Sequence, residues 1–142
     1  MYQILHDLNI NVDKSTIFKA ISTPDGLNNW WTLKCNGKPG IDEIFNLYFT
    51  DEYKWYAKIT KFELDEVIEF TMTSSSLDWL STNFAFILTE IDSNTTTVSF
   101  YHSNWKEENN EFRVTSYCWA NLLRQLKNYL ELGIITPFND RN

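Results

Sequence analysis

Cysteine is scarce, glycine is scarce and positive charge is in deficit, and each shortage removes a class of function. Cys35 and Cys118 are the only two cysteines in 142 residues. They lie far apart, with neither a metal-ligand spacing nor a disulfide frame, and read as two reduced thiols. The four glycines build no phosphate cradle. Asn36-Gly37-Lys38-Pro39-Gly40 has the wrong spacing and no helix follows it, which excludes Walker-type nucleotide binding. Twelve Lys and Arg stand against nineteen Asp and Glu, a net charge of -7, with no basic run or stripe. Nucleic acid is therefore excluded as a partner, because that affinity rests on neutralising phosphates. An anionic membrane surface is disfavoured for the same reason. No apolar run approaches the ~20 residues of a membrane-spanning helix. Asp7, Asn9, Asn11 and Asp13 interrupt the first segment, so no signal peptide is expected. The expected compartment is the cytoplasm. The two histidines, His6 and His102, have no third ligand at metal spacing, and no cofactor is expected.

Aromatic residues are plentiful: Trp 6, Tyr 7 and Phe 10. Rings fill cores, and they also line pockets for apolar ligands. The length suits a single domain over residues 1–142, and no repeat, low-complexity tract or linker divides it.

The chain predicts one long helix and a sheet to hold it. From Glu111 to Gly133, Cys118, Trp119, Leu122, Leu123, Leu126, Tyr129 and Leu130 recur in steps of three and four, which places them on one helical face. Asn110 is the expected N-cap, Gly133 suits the left-handed end position, and Pro137 blocks continuation. Before that helix nearly everything alternates. Gln3 to Val12 carries Ile4, His6, Leu8, Ile10 and Val12 on one side. Asp13 caps a short helix from Lys14 to Ile21, and Thr23-Pro24-Asp25 opens a second. Lys34 to Asp42 reads as a loop. Strands follow at Ile44–Phe49, Lys54–Leu64, Val67–Thr73, Ser81–Ile91 and Thr95–His102, and a polar connection from Ser103 to Asn110 leads into the helix. A meander with one apolar face needs a cover, and only the last helix is long enough to supply it. The expected fold is α+β: a curved antiparallel sheet of about six strands wrapped around a long C-terminal helix, with two short helices after the first strand.

Three places carry a resemblance to a known family. The first is the opening strand and helix running into Thr23-Pro24-Asp25-Gly26-Leu27-Asn28-Asn29-Trp30-Trp31. The second is Trp79 and Thr82-Asn83-Phe84 at the start of the fifth strand. The third is Tyr117-Cys118-Trp119-Ala120-Asn121-Leu122-Leu123 through Tyr129-Leu130-Glu131-Leu132-Gly133. This ordered set resembles the SRPBCC (START-like) superfamily with its helix-grip fold, and within it homologues of the activator of heat-shock protein 90 ATPase. Cys118 stands where family members commonly have glycine, which is expected to narrow any cavity locally. The resemblance implies a hydrophobic ligand held between helix and sheet, or a chaperone or other protein as partner, or a cyclase-like activity.

The residues expected to line such a site come from every strand and from the long helix. Trp30 ends the second short helix. Phe45, Leu47, Trp55 and Ile59 lie on the inward faces of the second and third strands. Phe70, Met72, Phe84, Phe86 and Phe100 continue that face. Trp119, Leu122 and Leu126 project from the helix. His102, in phase with Phe100, and Tyr101 are the candidates for orienting a ligand, and no catalytic set is readable. Cys118 reads as a packing thiol. The leading expectation is a non-enzymatic binding protein for an apolar, aromatic or lipid-like small molecule. A protein-interaction module of the co-chaperone kind comes second, and a cyclase-like enzyme third.

Overall fold

Side chains on a strand alternate between faces, and here that alternation builds one antiparallel sheet with an aromatic inner face. The computed structural model describes residues 1–141. Its strands are β1 (Tyr2–Ile10), β2 (Lys34–Asn36), β3 (Ile44–Thr50), β4 (Tyr53–Glu63), β5 (Val67–Ser74), β6 (Asn83–Asp92) and β7 (Thr95–Trp105). They form a seven-stranded sheet in the order β1-β7-β6-β5-β4-β3-β2. The inner rows follow from the register. Ile59 pairs with Phe70, Phe70 with Phe84, Phe84 with His102, and His102 with Ile4. The next row runs Ile68, Phe86, Phe100, His6.

Two short helices, α1 (Lys14–Ser22) and α2 (Pro24–Asn28), follow β1. Asp13 and Thr23 cap them with their side-chain oxygens. Gly26 lets α2 lie against α1: a Cβ there would stand 2.6 Å from the Lys19 carbonyl oxygen and 2.7 Å from the Ala20 Cα. The long helix α3 (Asn110–Leu132) packs Trp119, Leu122, Leu123 and Leu126 into the buried core. Gly133 ends it at φ 68°, in the left-handed region glycine tolerates. A short 3-10 turn, Phe138–Asp140, follows. The architecture is the α+β helix grip expected from the sequence. Among the described residues no helix is long and apolar enough to cross a membrane.

Most strand ends move by one or two residues, and three differences from the sequence reading have a clear physical reason. The stretch from Lys34 begins with a seventh strand, because Cys35 pairs with Leu47 and is buried. β7 continues to Trp105, which pairs with Tyr2 and buries its ring. The N-cap of α3 is Asn109 rather than Asn110. Its backbone is extended, and its side chain accepts a hydrogen bond from the Phe112 N–H at 3.0 Å, whereas Asn110 is already helical.

Candidate functional site

Under the middle of α3 the interior is filled. The Trp119 ring lies 4.5 Å from that of Phe100, 5.4 Å from Phe84 and 5.0 Å from Trp31, centroid to centroid. Tilted and edge contacts at these separations stabilise beyond burial alone. Trp30 donates its indole N–H to the Ala20 carbonyl at 3.0 Å and packs edge-on against Phe86.

The filling stops at one end of the sheet, and a cleft of about 340 Å³ opens there. Its walls come from segments distant in sequence: Phe49, Tyr53 and Trp55 from the β3–β4 hairpin, Trp79 from the turn before β6, Trp31 after α2, the α3 stripe Val114–Cys118–Leu122, and Phe138 with Arg141. Five of the rings close a circuit. Trp31 to Phe49 is 5.5 Å, Phe49 to Trp55 5.7 Å, Trp55 to Trp79 5.0 Å, Trp79 to Trp119 6.1 Å, and Trp119 returns to Trp31 at 5.0 Å. Trp79 is further tied to α3 by its indole N–H, which donates to Thr115 Oγ1 at 3.3 Å.

Polar groups are few in this cleft. Thr50, Thr115 and Cys118 lie along the walls, with Glu111 and Arg141 also in the lining. Burial, and next the Glu111 carboxylate, push the Cys118 thiol up, so it is a poor nucleophile. The Arg141 guanidinium is buried and donates from Nε to the Thr136 carbonyl at 2.9 Å and from Nη1 to the Thr32 carbonyl at 3.1 Å. Among the described residues no cluster of three or more His, Cys, Asp or Glu could hold a metal.

The sequence-predicted lining divides between cleft and core. Trp55, Trp119 and Leu122 line the cleft. Trp30, Phe45, Leu47, Ile59, Phe70, Met72, Phe84, Phe86, Phe100 and Leu126 are buried in the hydrophobic cluster. There they pack on each other and support the cleft from behind. His102 is fully buried and both ring nitrogens are engaged. Trp119 Nε1–H donates to Nδ1 at 3.0 Å, so the proton is on Nε2, which faces Thr82 Oγ1 at 2.7 Å; that hydroxyl in turn donates to the Trp79 carbonyl at 2.6 Å. Tyr101 alternates to the other face and bonds through its hydroxyl to Glu69. Burial, and next that bond, raise the Tyr101 pKa. His6 stacks on Phe100 and donates from Nε2 to the Ser116 carbonyl at 3.1 Å. Cys118, read as a packing thiol, sits on the cleft wall.

Sequence reasoning did not assign Trp31, Phe49, Tyr53, Trp79, Phe138 or Arg141 to a site. For Phe49 the signal was present, since it continues the phase of Phe45 and Leu47. Trp79 and Arg141 lie in irregular segments where periodicity says nothing.

Residues 11–131 match the sequence profile described as Activator of Hsp90 ATPase homolog 1-like protein. Among solved structures the chain is similar to the Aha1 dimer from Colwellia psychrerythraea, at 27% identity and a TM-score of 0.83, covering 94% of this chain and 98% of that one. It is also similar to a protein from Staphylococcus saprophyticus, at 18% identity and a TM-score of 0.79, covering 96% of each chain. A third similar structure is CalU16 from Micromonospora echinospora, at 14% identity and a TM-score of 0.77, covering 98% of this chain and 83% of that one. The last two likenesses bear on fold alone. No curated protein matches the chain significantly.

Proposed function

The chain belongs to the family of Activator of Hsp90 ATPase homolog 1-like proteins, and from that premise we propose that it binds a planar apolar small molecule in the aromatic cleft beside α3. The observation that carries this reading is that five mutually packed rings line one wall of a space of about 340 Å³. A volume of that size suits a small ligand. The rings are already fixed by one another and by the Trp79–Thr115 bond, so binding orders few side chains and that part of the cost of association is small. His102, a candidate for orienting a ligand, is sealed behind Trp119 with both nitrogens occupied, so it offers no acid–base group to the cyclase-like alternative.

The test is a thermal-shift screen of apolar ring compounds, lipids and sterols, read alongside tryptophan fluorescence. Ligand at about 100 times its dissociation constant stabilises by ~2.7 kcal/mol, or about 5–10 °C for a domain of this size. The expected result is such a shift from one chemical class, with quenching, and its loss in Leu122→Trp, which fills the cleft from the α3 wall. A full screen without any shift would sink the reading.

A protein-docking role is the second reading, favoured by the exposed apolar side chains Leu77, Val114 and Tyr117. Leu77 neighbours the start of α3, where Asn109 Nδ2 donates to the Asp78 carboxylate at 3.0 Å. On that reading Leu77→Asp abolishes capture of a chaperone while Leu122→Trp leaves it intact.

A further inference from the structure

Arg141 is the one strongly polar side chain of this cleft that is almost wholly buried, at 5% exposure. Its two hydrogen bonds go to neutral carbonyls, those of Thr136 and Thr32. Its own carbonyl accepts from Asn121 Nδ2 at 2.7 Å, which ties this segment to α3. The ion pairs among the described residues are Lys14–Glu66, Lys58–Asp42, Lys61–Glu69 and Lys127–Glu131. None includes Arg141, and its Nη2 group has no partner among those residues. A buried charge without a counter-ion is costly. Arginine cannot escape by losing its proton, even though burial lowers its pKa. Among the described residues the guanidinium thus has no carboxylate partner, and it lines an apolar space.

We propose that the ligand of the cleft is an anion: a planar apolar body carrying a carboxylate, whose charged end binds Arg141. This rests on the cleft being a binding site at all. The carbonyls of Thr136 and Thr32 hold the guanidinium in place, so a carboxylate can pair with it at little further cost in side-chain ordering. Phe138, 5.8 Å from the guanidinium carbon, and Leu122 flank the ring system next to the charge. Glu111 lies three helical turns before Leu122, about 16 Å along the axis. A carboxylate at that end would meet like charge, so the two ends of the cleft set the ligand's direction.

The experiment compares 2-naphthoate with the neutral 2-naphthalenemethanol by calorimetry. The proteins are the full chain, Arg141→Gln, Arg141→Lys and Leu122→Trp. The expected result is at least tenfold tighter binding of naphthoate to the unmodified chain. Arg141→Gln should remove that preference by weakening naphthoate at least tenfold more than the alcohol, and Arg141→Lys should keep part of it. Leu122→Trp should weaken both ligands. Equal affinities for the two probes, or equal loss of both in Arg141→Gln, would overturn the anion assignment while leaving the cleft a binding site. Absence of binding by either probe would overturn both. If Arg141→Gln does not fold, the probe comparison on the unmodified chain and the Arg141→Lys variant decide the matter.

Discussion

Protonating His102 would break a relay in which each donor has one acceptor. Nδ1 must stay bare to accept the Trp119 indole N–H, and the ring is enclosed by Trp79, Trp105 and Phe84. Burial therefore moves its pKa from an ordinary 6.5 down to about 3. The unfolded chain takes up the proton first as pH falls. The stabilising effect of a neutral His102 is present above pH 6.5 and is lost progressively between there and pH 3, at ~1.4 kcal/mol per pH unit. Between pH 7 and pH 5 the loss is about 2 kcal/mol. Urea unfolding at the two pH values should show it, and His102→Gln, which can still accept from Trp119 and donate to Thr82, should flatten the difference. An unchanged pH slope in that variant would refute the assignment. The inward phase of His102 was legible from Val98 and Phe100. Its inertness was not, because that depends on Trp119 and Thr82 reaching the same ring from elsewhere in the chain.

The elements were legible wherever a period extended over several residues. β4 through β7 and α3 follow from steps of two and of three and four. β2 escaped because it is three residues long, inside a Gly- and Pro-bearing stretch. The α3 start was misplaced by one residue because adjacent asparagines offer the same chemistry, and only the backbone decides which of them is non-helical. That choice has a measurable consequence. Asn109 caps the Phe112 N–H and also donates to Asp78, so Asn109→Ala should cost ~1 kcal/mol or somewhat more. Asn110→Ala, at the first helical position, should be close to neutral or slightly stabilising. Chemical denaturation of the two variants separates them, and equal losses would return the cap to Asn110. The cleft was only partly legible for a related reason. Trp55, Trp119 and Leu122 sit on periodic faces, but the turn at Trp79 and the segment after α3 reach the cleft through chain folding that no local period encodes.

At the scale of the whole molecule the net charge of -7 and the Arg141 cleft pull an anionic ligand in opposite directions, and salt separates them. Spread over an effective radius of about 18 Å, that charge repels a monoanion at the surface by ~1 kcal/mol near 10 mM salt and by about half as much near 0.15 M. The contact with Arg141 is short and buried, so screening weakens it far less. Raising the salt should thus tighten binding of a carboxylate by about twofold, the reverse of what a purely local ion pair on a neutral protein would give. The neutral alcohol should show no such dependence. Calorimetric titrations at the two salt concentrations check this. Naphthoate affinity that falls with added salt would mean that the charge lies on the exposed surface, outside the aromatic circuit, and that Arg141 is not its partner.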